Sequence, residues 1–368
     1  MVNVFAGFQL PKSICLSGYY NSVKWTIRRV DLDNVYFYLA FKKMKKITIL
    51  VPDGENNLSS IVGAYKIFKR ANVYYKELHN RELYQIQLAG LSSQVDFHDG
   101  LFSVRPHVHI SAVSKTNLII IPSLNHQFQQ AVEKNGALIQ WMKEQYRGGA
   151  EIASICTGAF LLASSGLING KSCSTHWAFA ETFRTRFPQV NVQVDRLITD
   201  ENGIYTNGGA YSFLNLIIYL VEKYFDRQTA IFCSKVFQID IDREAQSSFI
   251  IFAGQKSHDD DVVRQAQAYI EEHVENKISV TELASRFAVG RRNFDRRFIK
   301  ATGNTPTEYA QRVKMEAAKK SFETNSKNIK EVMYETGYSD MKAFREVFRK
   351  ITGVSPLEYR SKYNSRAY

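Results

Sequence analysis

The chain has 368 residues, which is too long for one ordinary domain and predicts two or three. Hydrophobic residues make up 45% of it, enough for buried cores. The formal net charge is +12, and the last 107 residues, from Val262 onward, hold 21 Lys and Arg against 13 Asp and Glu, a difference of 8. A basic C-terminal third favours a polyanionic partner, although a high pI alone is common.

The cysteine pattern and the apolar runs disfavour two other classes of protein. The four cysteines show neither the spacing of metal ligands nor the density of a disulfide scaffold, which fits a reducing cytoplasm. No stretch reaches the ~18 apolar residues that a membrane span needs. We therefore expect a soluble, cytoplasmic protein with no membrane partner, no metal and no cofactor.

The first 43 residues are aromatic and basic, without clear periodicity. Met44 and two lysines then precede a buried-strand pattern, ITILVPDG, which is a natural start for a domain. Residues 1–43 are interpreted as an N-terminal extension, either poorly ordered or the product of an upstream start codon. An ordinary extra N-terminal element fits the pattern equally well.

From residue 47 to about 240, short apolar runs alternate with helical patterns, which predicts a mostly parallel sheet covered on both faces. The predicted strands are 47–51, 84–88, 118–121, 151–155 and 190–194. The predicted helices include 137–146, 158–163, 178–187, 211–224 and 227–237. The stretch 102–113 alternates apolar and polar residues, as a half-exposed hairpin would. Together these elements predict an α/β domain over residues 44–245.

The remainder of the chain is predicted to be helical. Residues 246–261 are less periodic and end in three aspartates, which is typical of a linker. Helical patterns then follow one another through 262–368 and predict an all-α domain. Ser279 and Asn328 each stand three residues before a glutamate, so capping boxes mark the starts of two of these helices.

Residues 294–309 reappear, shifted by fifty positions, as residues 344–359. In each copy, two phenylalanines four residues apart lie on one face of an amphipathic helix, and a Thr-Gly pair then ends it. The faces away from the phenylalanines are basic. Gly290 and Asp340 stand just before the two basic helices, and aspartate is the better N-cap. A repeat of this kind marks one supersecondary unit built twice.

A capped helix, a tight turn and a second helix with a polar outer face form a helix-turn-helix unit. This pattern occurs around 279–300 and again around 328–351, with a connecting helix over 306–322. In LASRFAVGRRNFDRRFIKATGNTPTEY, residues 283–309, and ETGYSDMKAFREVFRKITGVSPLEYR, residues 335–360, the chain resembles the AraC/XylS family of transcription regulators. The resemblance implies that two recognition helices enter successive major grooves on one face of promoter DNA.

Carried over by position, the resemblance implies which side chains face DNA. Arg and Lys suit guanine, whereas Glu or Asp can accept from cytosine N4. The base-facing candidates are Arg292, Asp295, Arg296, Met341, Lys342, Arg345 and Glu346. The phosphate-facing candidates are Arg291, Arg297, Arg349 and Lys350, of which Arg297 and Arg349 are more simply explained as solvated surface residues. Gly290 departs from the serine that the family usually has at that position.

Residues 151–160 have the pattern of a strand, a sharp turn and a helix, with Cys156 at the apex. The small residues Gly158 and Ala159 permit the turn, and a helix N-terminus at that point would lower the pKa of a thiol. The backbone N–H groups of Thr157 and Gly158 are placed to bind an anion. We interpret Cys156 first as the floor of a ligand pocket, second as a plain buried residue and third as a reactive thiol.

In ICTGAFLLASSGLINGKSCSTHW, residues 155–177, the chain resembles the ThiJ/PfpI branch of the class I glutamine amidotransferase-like superfamily. This resemblance implies a flavodoxin-like α/β fold, and more narrowly the sensor domain that some AraC-type regulators carry. Catalysis needs a base near the sulfur, but Thr157 stands where protease-like members have a histidine. His176 is the remaining candidate base and is interpreted as a pocket residue. Glu55 falls near the position of a pocket acid in the family.

These features predict a sequence-specific DNA-binding transcription regulator whose non-catalytic α/β domain binds a small-molecule effector. The effector site is predicted at Cys156, Thr157, His176 and Glu55. The expected partners are double-stranded promoter DNA, the effector and a second copy of the chain, with RNA polymerase as a further candidate. The main rival is a Cys156-dependent hydrolase or amidase with a DNA-binding tail. A third hypothesis is a constitutive DNA binder whose α/β domain only dimerises.

Overall fold

The computed structural model describes residues 44–125, 127–241, 246–325 and 327–364, together with the backbone of two strands nearer the N-terminus. These strands, Ser13–Tyr20 (β1) and Val23–Asp31 (β2), pair antiparallel within the predicted extension. The rest of the extension and the predicted domain boundary at residue 245 lie outside the described residues. In the ranges that are described, no helix is both long and apolar enough to cross a membrane.

Seven strands form one sheet at the centre of the α/β domain. In chain order they are Lys45–Val51 (β3), Tyr84–Gly90 (β4), Val108–His109 (β7), Leu118–Ile121 (β8), Glu151–Ile155 (β9), Ile198–Glu201 (β12) and Ile204–Asn207 (β13). Their spatial order is β12-β13-β9-β8-β3-β4-β7, and all neighbours run parallel except β12 and β13. The continuous apolar runs lie in the middle of this order, where both faces of a parallel sheet are buried.

Helices cover both faces of the sheet. In chain order they are Leu58–His79 (α1), Phe128–Lys134 (α2), Gly136–Arg147 (α3), Ala159–Ser164 (α4), Ala180–Arg186 (α5), Phe213–Tyr224 (α6) and Arg227–Phe237 (α7). α1, α6 and α7 bury one face, and α2 to α5 bury the other. Within β8, Leu118 and Ile120 belong to the first core and Ile119 and Ile121 to the second, as strand periodicity requires. The predicted mostly parallel α/β sandwich is thus confirmed.

Two strand predictions differ from the structure, and one pair of strands was not predicted. The predicted strand 190–194 shrinks to Asn191–Val192 (β11), which pairs with Ser172–Cys173 (β10) outside the main sheet. The hairpin predicted within 102–113 is wrong, because Phe102–Val104 (β6) pairs with the preceding Val95–Phe97 (β5) while β7 joins the sheet edge. The β12–β13 hairpin was not predicted, since each strand has four residues and carries polar side chains.

The C-terminal part of the chain is helical. Its helices are Asp261–Glu272 (α8), Val280–Arg286 (α9), Arg291–Thr302 (α10), Pro306–Thr324 (α11), Ile329–Glu335 (α12), Met341–Thr352 (α13) and Pro356–Tyr363 (α14). α9 and α10 form one helix-turn-helix unit, and α12 and α13 form the other, each over its own hydrophobic core. α11 supplies Tyr309 and Val313 to the first core and Met315 and Phe322 to the second. The predicted pair of helix-turn-helix motifs is confirmed.

Caps determine where these helices begin and end. Asn328 forms a complete capping box with Glu331, whereas Ser279 only accepts the N–H of the third residue of α9. Gly303 and Gly353 end α10 and α13 with φ of 69° and 78°, in the left-handed region that glycine favours. α11 and α14 follow immediately, and each starts with a capping box and a proline in the first turn.

The segment between the two domains packs against both of them. Gln246 and Ser247 are 1% and 6% exposed, and a short 3-10 turn, Ser247–Phe249, lies against α13. The N–H of Phe252 donates to Glu316 Oε2 of α11 at 3.1 Å. The segment therefore contacts both the α/β domain and the helical domain.

Candidate DNA-binding surface and ligand site

The fifty-residue repeat builds two matched cores beneath α10 and α13. Phe294 and Phe298 are fully buried, as are their counterparts fifty positions later. The ring of Phe298 meets that of Tyr309 edge-on at 5.4 Å between centroids, and Phe348 meets Tyr359 in the same way at 5.6 Å. Because α10 and α13 turn equivalent faces inward, their basic faces are also equivalent.

The outward face of α10 carries three exposed arginines: Arg291, Arg292 and Arg296. Arg291 is partly engaged, since its Nε donates to Asp295 Oδ2 at 2.9 Å and its Nη1 donates to Thr281 Oγ1 at 3.1 Å. Asp295 is half-buried beside this guanidinium. Arg292 and Arg296 therefore present their charge outward more directly than Asp295 presents its carboxylate.

Arg297 has a structural role that its position in the repeat did not reveal. Its guanidinium binds both carboxylate oxygens of Asp260, at 2.6 and 2.8 Å. The Asp260 carboxylate also caps α8 by accepting the Val263 N–H at 3.1 Å, and the pKa of this carboxyl is lowered chiefly by Arg297. The pairing favours a role for Arg297 in holding α10 against α8. This role differs from the two expected from the sequence, a phosphate contact and a solvated surface residue.

The outward face of α13 is more continuous. Five side chains on it are exposed: Lys342, Arg345, Glu346, Arg349 and Lys350. Met341, at the start of the helix, is half-buried and packs against the second core. Asp340 accepts the Ala343 N–H at 2.6 Å and thereby caps the helix, whereas Gly290 gives α10 no side-chain cap.

A strained turn lies where the sequence predicted one. Cys156 has φ of 53°, a region that residues other than glycine rarely adopt. Its N–H donates to Asn207 Oδ1 at 3.1 Å, and its carbonyl accepts from Thr175 Oγ1 at 3.0 Å. A Cβ at Gly158 would lie 2.5 Å from the carbonyl oxygen of Pro122, so only glycine fits there. These contacts hold the sharp strand-to-helix turn between β9 and α4.

The Cys156 thiol is buried and its pKa is raised. The residue is 2% exposed, and burial raises the thiol pKa more than hydrogen bonds with Ser123 and Thr157 lower it. This direction is opposite to the one expected from the helix N-terminus. Thr157 Oγ1 donates to the Leu124 carbonyl at 2.7 Å and accepts the Leu124 N–H at 3.0 Å, so its hydroxyl is committed to the loop after β8.

The other two predicted pocket residues lie around this turn. Glu55 is exposed and accepts from Asn125 Nδ2 at 3.2 Å, so Glu55 and Thr157 are attached to the same loop. His176 is half-buried, and its Nδ1 accepts the Ala178 N–H at 3.1 Å. Across the described ranges, no group of three or more His, Cys, Asp or Glu side chains is arranged to hold a metal ion.

Comparisons with known proteins match both halves of the chain. The DJ-1/PfpI family matches residues 45–223, and a family described as a helix-turn-helix domain matches residues 283–362. The HTH-type transcriptional regulator GbdR of Pseudomonas aeruginosa is 24% identical over 82% of this chain and 81% of its own length. The HTH-type transcriptional regulator GlxA of Rhizobium meliloti is 23% identical over 60% of this chain and 68% of its own.

The chain therefore joins a DJ-1/PfpI domain to a helix-turn-helix domain, and the relatives that it matches are helix-turn-helix transcriptional regulators. The predicted resemblance and the predicted DNA-binding regulatory function are confirmed. Among solved structures, an AraC family transcriptional regulator from Pseudomonas putida is 15% identical with a TM-score of 0.45, over 52% of this regulator and 99% of that chain. Drosophila melanogaster DJ-1beta is 16% identical with a TM-score of 0.45, over 53% and 98%.

Sequence reasoning missed two residues of the regulator near the strained turn. Asn207 ends β13 and orients the Cys156 backbone, but β13 itself was not predicted. Gln246 inserts its buried side chain beside Thr175, and its contacts come from segments 50 to 72 positions away in sequence. No local pattern could have shown this, because only the fold brings those segments together.

Proposed function

We propose that this regulator binds promoter DNA by placing α10 and α13 in successive major grooves, under the control of a small molecule bound in the DJ-1/PfpI domain. The observation that carries the proposal is a pair of matched helices. Each buries a face with two phenylalanines and exposes a basic face. Arg and Lys side chains on such an exposed face can neutralise DNA phosphates and form hydrogen bonds with guanine. The cytoplasm is the proposed location, and a second copy of the chain and RNA polymerase are the further proposed partners.

The exposure of each side chain divides the candidate DNA contacts into those that read bases and those that bind phosphates. Arg292, Arg296, Lys342 and Arg345 are proposed to read bases. Arg291 and Lys350 are proposed to hold phosphates, which position the protein without reading sequence. Asp295, Glu346 and Met341 complete the base-facing set, with Asp295 limited by its ion pair to Arg291.

The test is a footprint of the full chain on DNA selected from a random library. Two neighbouring major grooves on one face of the duplex should be protected, about 10 base pairs apart between their centres. Protection of a single groove per chain, or of grooves on opposite faces, would contradict the proposed geometry. Selection that yields no shared sequence motif would contradict base reading.

The DJ-1/PfpI domain is proposed to bind its effector without catalysis. The strained φ of Cys156 favours an enzyme, because nucleophiles often lie on such turns. Burial of the thiol and its raised pKa oppose that role. A Cys156→Ala variant should keep its affinity for the selected DNA and its response to any effector found. Loss of a measurable hydrolase or amidase activity in that variant would favour the enzyme instead.

A further inference from the structure

The side chain of Gln246 occupies a closed nook in the DJ-1/PfpI domain. Gln246 is 1% exposed, and its Nε2 donates to the carbonyl oxygens of Val194 at 2.6 Å and Thr175 at 3.2 Å. Its own N–H donates to the Asp195 carbonyl at 3.2 Å. Thr175 in turn binds the carbonyl of Cys156, so the nook adjoins the strained turn.

The Gln246 side chain fills the nook closely, but one of its polar atoms has no hydrogen-bond partner there. A Cβ at Gly208 would lie 2.0 Å from Gln246 Nε2, so glycine leaves the space that the carboxamide fills. The carboxamide oxygen, Oε1, is buried with no hydrogen-bond partner among the residues that the structure describes. A buried acceptor without a partner destabilises the occupied state, which favours replacement of the Gln246 carboxamide by a better-matched group.

The residues that follow Gln246 contact α13, the second of the two helices proposed to read DNA (the reading helices, α10 and α13). The 3-10 turn Ser247–Phe249 packs on α13, and the Ser247 hydroxyl lies 2.7 Å from the place where a Cβ of Gly353 would stand. Gly353 is the left-handed residue that ends α13. Two consecutive residues, Gln246 and Ser247, therefore contact the nook and the end of the helix that is proposed to read DNA.

A cleft beside the nook has room for a ligand. Its volume is about 500 Å³, within the ~300–1,000 Å³ usual for small-molecule sites, and it lies between the two domains. Val194 and Asp195, whose carbonyl oxygens bind Gln246, line this cleft together with Arg312 of α11. The cleft and the nook therefore share these two residues.

We propose that the Gln246 nook is the head-group site for the effector, and that it takes an N–H donor such as a primary amide, an ammonium or a guanidinium. Backbone carbonyl oxygens face the occupied position, and they attract N–H groups and repel carboxylates. An effector head group replaces the Gln246 carboxamide, and the displaced chain withdraws the Ser247–Phe249 turn from α13. This inference rests on the proposed function for the existence of an effector and for the consequence at DNA, whereas binding of an N–H donor in the nook is tested without either.

The binding test uses small head-group probes on the full chain: acetamide, methylammonium and methylguanidinium, with acetate as the anionic control. Ligand-observed saturation-transfer NMR detects such weak binding. Gln246→Ala should bind the three N–H donors at least ~10-fold more tightly than the wild type, because an internal competitor reduces apparent affinity. Gly208→Ala, whose added methyl group enters the nook, should bind none of them. Gln130→Ala, an exposed glutamine of α2, should behave as the wild type does.

Equal probe binding by the wild type and Gln246→Ala, or binding of acetate as strong as that of acetamide, would overturn the assignment of the nook. The link to α13 has its own readout in hydrogen exchange. Both Gly208→Ala and Gln246→Ala should lose protection in residues 247–253 and in the last turn of α13, whereas Gln130→Ala should not. Unchanged protection in both variants would overturn the link. Failure of the DNA footprint with probe binding intact would count against the proposed function alone.

Discussion

Arg345 and Lys350 are both exposed on α13 and test two kinds of DNA contact. Arg345→Ala should relax the preference at one base pair by ~1–3 kcal/mol, because a guanidinium can pair with guanine through two hydrogen bonds. Lys350→Ala should weaken binding to all DNA sequences alike, since a phosphate contact carries no sequence information. It should also reduce the salt slope, which is the slope of log affinity against log salt concentration, by about 1. Titrations against a set of single-base variants at several salt concentrations separate the two effects.

The matched control for this pair is Lys66→Ala. Lys66 is an exposed lysine of α1 in the DJ-1/PfpI domain, so its removal changes the net charge of the chain equally. Affinity and salt slope should both stay at wild-type values. A uniform loss in Arg345→Ala would assign that arginine to phosphate instead of bases.

The buried cysteines should resist alkylation in the folded protein. Burial raises the pKa of Cys173 to about 12 and that of Cys233 to about 11, from the usual 9.0, and the pKa of Cys156 is raised in the same direction. Each unit reduces the reactive thiolate about tenfold at a pH below the pKa. At pH 8, iodoacetamide should therefore modify these three residues far more slowly than in urea, and the rate should rise with pH up to the raised pKa.

Peptide-resolved mass spectrometry measures each cysteine separately. Alkylation of Cys156 in the folded chain at the rate seen in urea would support the reactive-thiol interpretation and with it the rival enzyme. Slow modification of all three would match their burial, which is 2% exposure for Cys156 and complete burial for the other two.

At the scale of elements, the two reading helices differ in how they start. α13 has the Asp340 cap, whereas α10 begins at Gly290, where a Cβ would meet nothing within 4 Å. Asp340→Ala should cost about 1 kcal/mol of local stability in α13. Gly290→Ser should gain a few tenths of a kcal/mol in α10, because serine can accept a first-turn N–H from the same backbone conformation.

Native-state hydrogen exchange of the α10 and α13 amides measures both effects within the full chain. Each substitution should change protection in its own helix and leave the other at the wild-type level. A loss of protection in α10 after Gly290→Ser would show that the added hydroxyl meets an obstacle absent from the structure.

The elements that sequence alone could predict are those that the chain specifies locally. β8, β9 and α7 have the predicted bounds, because continuous apolar runs and a long amphipathic pattern mark them. The predicted strand 190–194 was too long because only two of its residues find a partner, and that partner is β10. The pairing of β12 with β13 depends on a neighbouring strand, so four mixed residues gave no signal.

The candidate site also contains residues that the local sequence predicts and residues that it does not. The basic faces of α10 and α13 follow from helical periodicity and the repeat, so the exposed arginines and lysines could be named from sequence. The ion pair of Arg297 with Asp260 and the insertion of Gln246 could not, because their partners lie 37 and 50 or more positions away. A polar residue that is buried by distant partners has no local signature.

At the scale of the whole molecule, the shared helix α11 makes the two helix-turn-helix units one body. α11 contributes to both cores, so α10 and α13 are held at a fixed relation to each other. The short segment from Gln246 to Asp260 then ties this body to the sheet, through the nook at one end and the cap of α8 at the other. A ligand that alters this segment would reorient both reading helices together.

A rigid pair of reading helices should bind DNA with independent energies. Arg296→Ala and Arg345→Ala should each weaken binding to the selected DNA by ~1–3 kcal/mol, and the double variant should show their sum within about 0.5 kcal/mol, as expected for well-separated contacts. On DNA whose α10 half-site is scrambled, Arg296→Ala should have no effect while Arg345→Ala keeps its full cost. If Arg296→Ala has no effect on the intact site either, Arg296 does not contact the DNA, and its proposed role in reading bases is wrong.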